Sequence, residues 1–266
     1  GDSAGATLTD ISNAVLIGYN AGYSLNSTDA NGAVMIGFKA GSSATHPAGS
    51  TLLGSGSGGQ ISTGDSNTIV GSTAGATITS GGGNTVMGQF AGGFSGAALT
   101  GNYNTVLGYS AGQNLGGAAT ENVFLGRNAG RDATTASGST FLGQGAGREV
   151  TTGNNNIAIG QNAMHDGVTT GDGNIAIGFA ALDANTTASY NVGIGYNALG
   201  VNTTGQQNIA IGASSLDANT TGGENVAVGT GALGANTTAD NNTAVGHNAL
   251  LANTTGDENV AIGKGA

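Results

Sequence analysis

Short apolar segments alternate with polar turns along the whole chain, and a glycine closes each apolar segment. Residues 15–17 precede Gly18, for example, and residues 157–159 precede Gly160 in the same way. The apolar positions within a segment follow a period of two, which is typical of a β-strand, whereas an amphipathic helix requires a period of 3.6. Each segment therefore predicts a short strand that ends in a glycine turn.

The closing glycines, which we call the rung glycines, recur at a nearly constant spacing. Most successive rung glycines are seventeen positions apart, and the few longer intervals exceed this spacing by one to three positions. Such a repeat is too short for a pair of helices and indicates a solenoid in which each repeat is one rung. The sequence therefore predicts an all-β fold, a β-solenoid of about fifteen 17-residue rungs. The rung glycines are Gly18, Gly37, Gly54, Gly71, Gly88, Gly108, Gly126, Gly143, Gly160, Gly178, Gly195, Gly212, Gly229, Gly246 and Gly263.

Asparagine stands four residues before the rung glycine in eleven rungs. Side chains at equivalent positions of stacked strands lie above one another, and stacked asparagines can hydrogen-bond from layer to layer. We therefore predict a structural asparagine ladder. Its members are Asn67, Asn84, Asn104, Asn122, Asn156, Asn174, Asn191, Asn208, Asn225, Asn242 and Asn259.

Two further columns exchange side-chain volume partway along the chain. Two residues before the rung glycine, large apolar residues such as Phe141 give way to small ones from Ala158 onward. Four residues after the rung glycine, glycine gives way to Met164 and then to leucine. Close-packed interiors keep their volume, so both columns should line one core. We therefore expect two solenoid segments, residues 1–147 and 148–266, the second with core columns at Leu182, Leu199, Leu216, Leu233 and Leu250.

Neighbouring residues of the strands in the first segment are apolar on both faces. One face can pack inside the narrow rung, but the other needs a second apolar surface. With so few residues in each rung, the most economical source of that surface is another copy of the chain. The pattern therefore predicts self-association.

Composition excludes several classes of partner. The 266 residues include 53 glycines, one proline and no cysteine, only 8% are charged, and the net charge is −10. An acidic chain cannot neutralise phosphates, so we expect no nucleic-acid partner. No apolar stretch reaches the roughly 20 residues of a membrane span. The missing initiator methionine suggests a fragment or a processed form.

The repeat N-[IV]-A-[IV]-G-x-x-A, as in "NIAIGQNA", "NVAVGTGA" and "NTAVGHNA", resembles the head repeats of trimeric autotransporter adhesins. The longer stretch "NTAVGHNALLANTTGDENVAIG" resembles repeats of bacteriophage tail fibres. The resemblance spans most of the chain and is most specific in the last seven rungs. It implies a homotrimer of left-handed β-rolls that serves as a rigid adhesive stalk or fibre, located outside the cell, on its surface or on a virion. The 17-residue rungs are longer than the coils usual in adhesin heads.

Residue clusters typical of catalysis or metal binding are not evident. His46, His165 and His247 are far apart in sequence, and the last two differ in repeat phase, so they should not stack into a metal site. Acidic residues at the turns of the second segment raise calcium binding as an alternative to plain solubility. No set of residues supplies a converging nucleophile and base. We therefore predict no catalysis, no cofactor and no metal.

The motif Asn-Thr-Thr recurs in the turns of the second segment. Its first threonines form a column with a spacing of one rung, which suggests either turn hydrogen bonds or an ice-binding surface. These turn threonines are Thr186, Thr203, Thr220, Thr237 and Thr254.

The leading functional hypothesis is a non-enzymatic fibre shaft that mediates attachment, with a cell-surface or carbohydrate receptor as a partner besides the chain itself. Two alternatives stay open: a monomeric ice-binding or ligand-binding solenoid, and an extracellular filament polymerised end to end by rung stacking.

Overall fold

The computed structural model describes residues 1–8, 13–25, 31–94 and 97–266. These residues form fifteen strands of three residues each and no helix, and none of them belongs to a helix long and apolar enough to cross a membrane. The predicted all-β solenoid is thereby confirmed. The strands are β1 (Val15–Ile17), β2 (Val34–Ile36), β3 (Thr51–Leu53), β4 (Thr68–Val70), β5 (Thr85–Met87), β6 (Thr105–Leu107), β7 (Val123–Leu125), β8 (Thr140–Leu142), β9 (Ile157–Ile159), β10 (Ile175–Ile177), β11 (Val192–Ile194), β12 (Ile209–Ile211), β13 (Val226–Val228), β14 (Thr243–Val245) and β15 (Val260–Ile262).

The chain divides into two compact units, Gly1–Gly138 and Ser139–Ala266. In the first unit, β1 to β7 pair in chain order, each parallel to the next. In the second unit, β8 to β15 pair in the same way. Equivalent residues face one another across every described pair, so side chains at one repeat position form a continuous column within a unit.

Backbone hydrogen bonds outside the strands also join neighbouring rungs. The amide of Gly22 donates to the carbonyl of Ala40 at 2.9 Å, and that of Thr186 donates to Thr203 at 3.1 Å. A second line of parallel pairing joins Ile78 to Leu99. The turns as well as the strands are therefore held by the rung above or below.

The rung glycines are required by backbone geometry. Their φ angles lie between 126° and 141°, a range that side-chain-bearing residues rarely adopt. A Cβ on Gly212 would lie 2.6 Å from the carbonyl carbon and oxygen of Gly229 in the next rung. Each rung glycine therefore permits the close approach of successive rungs.

The two volume-exchanging columns pack against one another in the core. Phe124, two residues before its rung glycine, is fully buried, and a Cβ on Gly130 would lie 2.7 Å from its ring. In the second unit the leucines of the other column, such as Leu199, are fully buried instead. The column exchange falls between Gly147 and Ala158, whereas the two compact units divide between Gly138 and Ser139.

Candidate interaction surface and polar ladders

The outer face of the strands is largely apolar and at least partly exposed in the single chain, because the third residue of every described strand is apolar and the first is apolar or threonine. In nearly every strand the central residue is buried, while the residues on either side of it point outward and keep part of their surface accessible. Ile17, for example, is 55% exposed. Single exposed apolar side chains are common, but a continuous column of them marks an interaction site. The most exposed members of this strand face are Val15, Ile17, Leu53, Met87, Val123, Leu125, Leu142, Ile209, Ile211, Val260 and Ile262.

An aromatic column lies directly after the rung glycines and beside this strand face. The rings of Tyr19 and Phe38 are stacked with their centroids 5.5 Å apart and their planes 14° apart. In the second unit, Phe179 and Tyr196 stack at 5.6 Å and 8°. All four side chains are exposed, so they extend the apolar surface past the end of the strands.

The asparagines of the predicted ladder are buried and linked from rung to rung. The side-chain amide of Asn174 donates to the side-chain oxygen of Asn156 at 3.1 Å, and the backbone amide of Asn174 donates to the same oxygen at 2.9 Å. The pattern continues to Asn259, which donates to Asn242. In the first unit it joins Asn67, Asn84, Asn104 and Asn122.

Serine substitutes for asparagine at two positions of the ladder. Ser139 occupies the ladder position of its rung, and its hydroxyl accepts the backbone amide of Asn156 at 3.2 Å. Ser50 does the same for Asn67 at 3.1 Å. A short hydroxyl side chain therefore supplies the acceptor that the next rung needs.

A second buried ladder runs through the Asn-Thr-Thr turns and was missed by sequence reasoning. Asn219 donates to Asn202 at 2.8 Å, and Asn236 donates to Asn219 at 2.9 Å. The second ladder links Asn202, Asn219, Asn236 and, at its partly buried end, Asn253, whereas the side-chain oxygen of Asn185 in the preceding rung has no hydrogen-bond partner among the described residues. The recurrence of these asparagines once per rung was the available signal, but recurrence alone does not show that their side chains point into the core.

The two ladders share acceptors. The side-chain amides of Asn208 and Asn219 both donate to the carbonyl of Gly222, at 2.8 and 2.9 Å. The same arrangement recurs at Gly205, which accepts Asn191 and Asn202. The two columns therefore form one buried polar network, which satisfies most of the groups that would otherwise be costly to bury.

The predicted turn threonines use their hydroxyl protons within the fold. The hydroxyl of Thr186 donates to the carbonyl of Thr203 at 2.9 Å, and Thr203, Thr220 and Thr237 each donate to the next rung at 3.0 to 3.2 Å. The second threonine of each motif is exposed, as at Thr204. The turns therefore leave a single threonine column facing solvent.

A small cluster of titratable groups lies in the first turns of the second unit. His165 Nδ1 lies 2.5 Å from Asp166 Oδ1, and the backbone amide of His165 donates to Asp183 Oδ1 at 3.3 Å. Partial burial, reinforced by the Asp166 carboxylate, raises the pKa of Asp183 above its ordinary value. The other two histidines lie apart from this cluster, with His46 Nδ1 against the hydroxyl of Thr45 and His247 exposed.

Sequence reasoning missed this cluster because it compared histidines only with one another. His165 and Asp183 both stand five residues after a rung glycine, in consecutive rungs. Comparing this column across residue types would have placed the two side chains together.

The geometry defines the chain as a β-solenoid repeat protein with an exposed apolar strand face and internal asparagine ladders. Comparison with known proteins finds no family model and no curated protein that matches the sequence.

Proposed function

We propose that this chain is a non-enzymatic segment of a fibre shaft that mediates attachment, and that it self-associates through its strand face into a homotrimer of left-handed rolls. The observation that supports the proposal is the exposed apolar strand face. The number of copies, the handedness and an extracellular, cell-surface or virion location follow from the resemblance to adhesin heads and tail fibres.

The free energy available from covering the strand face is large enough to drive association. Fully burying a valine, leucine or isoleucine side chain stabilises by about 1.5–3 kcal/mol, so covering one that is nearly half exposed contributes about 1 kcal/mol. Eleven strand side chains are at least 38% exposed, which gives on the order of 10 kcal/mol for each copy. Association costs an estimated 4–15 kcal/mol in lost freedom. Several copies that each bury this face can therefore offset that cost.

The stacking of the rungs suits a fibre shaft because a shaft has to be stiff. In the second unit, consecutive rungs are joined by strand pairing, by turn hydrogen bonds and by at least one polar ladder. Deforming one rung breaks bonds to both of its neighbours, so each unit resists bending and local unfolding. A stiff repeat also presents its surface side chains at regular intervals, and the exposed aromatic column offers apolar rings to a carbohydrate or protein receptor.

The ice-binding alternative stays a prediction, and the turn geometry does not favour it. The hydroxyl protons of Thr186, Thr203, Thr220 and Thr237 are directed to carbonyls of the next rung. A flat ice-binding face needs two threonine columns, and the turns leave only the second threonine of each motif, as at Thr204, facing solvent. The end-to-end filament is likewise a prediction that the mass measurement below distinguishes.

The mass of the protein in solution tests the proposal. Static light scattering should give three times the 25.3 kDa of one chain. The double variant Ile209→Glu and Ile211→Glu, which places two charges on the strand face, should be monomeric, because burying unpaired charges is strongly unfavourable. The matched control, Thr204→Glu with Thr221→Glu on the exposed turn column, should stay trimeric. A monomeric wild type contradicts the proposal, and open-ended polymers would favour the filament.

A further inference from the structure

The repeat register brings three potential metal ligands together in the second unit. His165 and Asp166 follow Gly160 by five and six residues, and Asp183 follows Gly178 by five. Their donor atoms, the imidazole nitrogen and one oxygen of each carboxylate, all lie within 4.8 Å of one another. Among the residues that the structure describes, His165, Asp166 and Asp183 are the three side chains whose potential metal-ligand atoms converge in this way.

The surrounding structure holds these ligands in place. The amide of Asp166 donates to the backbone carbonyl of Asp183 at 3.0 Å, which fixes the two turns against each other. The imidazole of His165 lies over Gly145 of the preceding rung, where a Cβ would come within 2.9 Å of ring carbon Cδ2. Preorganised ligands lose little freedom on binding an ion. The His165 side chain is only 17% exposed, whereas the Asp166 side chain is 65% exposed and leaves an open approach from solvent.

We propose that His165, Asp166 and Asp183 bind one divalent first-row transition-metal ion, with Zn²⁺ as the representative ion. One imidazole nitrogen and two carboxylate oxygens are the mixed donors that suit Zn²⁺, Co²⁺, Ni²⁺ or Mn²⁺. Calcium prefers six to eight oxygen ligands and gains little from an imidazole. The two carboxylates balance the charge of the ion, which would join two consecutive rungs.

Arg148 opposes metal binding in a way that provides a sharp test. Its Nη1 lies 3.2 Å from His165 Nε2. A guanidinium is always a donor, so Nε2 accepts this bond and the imidazole proton resides on Nδ1, facing Asp166. A metal bound at Nδ1 requires the other tautomer, in which the single ring proton lies on Nε2 and faces the guanidinium of Arg148. Metal binding therefore requires Arg148 to turn away, and removing its charge should strengthen binding.

The neighbouring rungs do not repeat the arrangement. The positions equivalent to His165 and Asp183 in the three following rungs are Gly200, Asp217 and Gly234. None of these rungs adds an imidazole at that position. The site is therefore expected to bind one ion per chain, which a titration can count.

Titration calorimetry of the metal-free full chain with Zn²⁺ tests this proposal. We expect saturable binding of one ion per chain, together with a Co²⁺ absorption spectrum typical of direct coordination. Losing one ligand, in His165→Ala or Asp183→Asn, should weaken binding about tenfold or more. Arg148→Gln should bind more tightly than wild type. The matched control His247→Ala removes an exposed histidine from the same unit and should leave binding unchanged.

Several results would overturn the proposal. Absence of saturable binding would do so, as would equal binding by wild type and His165→Ala. Binding that needs His165 but not Asp183 would reduce the site to a surface histidine. Unchanged affinity in Arg148→Gln would exclude coordination through Nδ1. Asp183→Asn changes one atom of the side chain and keeps its shape, so the test does not depend on the larger His165 truncation, and circular dichroism should verify that each variant is folded.

Discussion

Truncating one asparagine in the middle of the first ladder should destabilise the second unit strongly. The side-chain amide of Asn208 donates to the carbonyl of Gly222 at 2.8 Å, and its side-chain oxygen accepts both the backbone and side-chain amides of Asn225, at 3.0 and 3.1 Å. Asn208→Ala removes these three bonds. Gly222 keeps its bond from Asn219, and the Asn225 side chain keeps its bond to Ala239. The backbone amide of Asn225 loses its acceptor.

The magnitude follows from this count. Three net hydrogen bonds contribute about 1 kcal/mol each, and a buried amide left without an acceptor costs a further 1–2 kcal/mol, so the free energy of unfolding should fall by about 4–5 kcal/mol. Urea denaturation followed by circular dichroism measures the loss, and hydrogen exchange at the Asn225 amide locates it. The control Gln206→Ala truncates an exposed side chain beside the ladder and should change stability by about 0.5 kcal/mol or less. Equal effects of the two substitutions would refute the idea that the ladder stabilises the fold.

Three further predictions concern the core, the rung glycines and the cluster in the first turns. Leu199→Gly and Ala210→Leu should each destabilise the second unit when introduced alone. In a double-mutant cycle measured by thermal unfolding, the two changes should couple favourably by about 1–3 kcal/mol, because the leucine of one rung packs against the small residue of the next. Additive losses would contradict shared packing. Gly212→Ala should lower the melting temperature more than Gly263→Ala. Both are rung glycines, with φ values of 138° and 130°, but only a Cβ on Gly212 meets the backbone of the next rung. Equal losses would leave backbone strain as the whole cause. In the presence of EDTA, Asp183→Asn should raise the free energy of unfolding by less than about 1 kcal/mol at neutral pH. The pKa of Asp183 is raised in the folded protein, so its partly exposed carboxylate disfavours the folded state when it is charged. Protonation relieves the same penalty in wild type, so the gain should shrink as the pH falls through that pKa, and a pH-independent difference would refute this cause.

Fold class was accessible from the sequence because it depends on periodicity. A strand that ends in glycine, repeated at a short and nearly constant interval, admits few arrangements other than stacked rungs, and Ile157–Ile159 lies where the pattern before Gly160 predicts it. The asparagine column was equally visible, since one residue type at one phase needs no knowledge of side-chain direction. Columns of identical residues are therefore the features that a repeat sequence reveals most directly.

Features that join different residue types were harder to predict. To predict the cluster of His165 and Asp183, one has to know that both turns follow the same backbone path. The interval between their rung glycines is one residue longer than in most rungs, so the sequence does not make this obvious. To predict the second ladder, one has to know that the asparagine of each Asn-Thr-Thr motif points inward. Asn202 and its equivalents Asn185, Asn219 and Asn236 are fully buried. Turn residues alternate between inward and outward directions according to backbone torsions, and the identity of the residues alone does not give those torsions.

The exchange of glycine for leucine shows how one backbone path accommodates two cores. The glycines four residues after the rung glycine have φ values such as 58° at Gly22 and 55° at Gly130, and the leucines at the same position keep the same conformation, with 54° at Leu199 and 51° at Leu216. For a leucine this left-handed conformation costs about 1–2 kcal/mol. Filling the core at that position stabilises by about 2–5 kcal/mol, the range lost when a buried leucine is truncated. The strain is therefore tolerated because burial outweighs it, and it is tolerated only where the opposing column is small. A glycine at this position in a rung with an opposing alanine would leave a cavity, and a leucine opposite a phenylalanine would overfill the core, so the two columns have to change together.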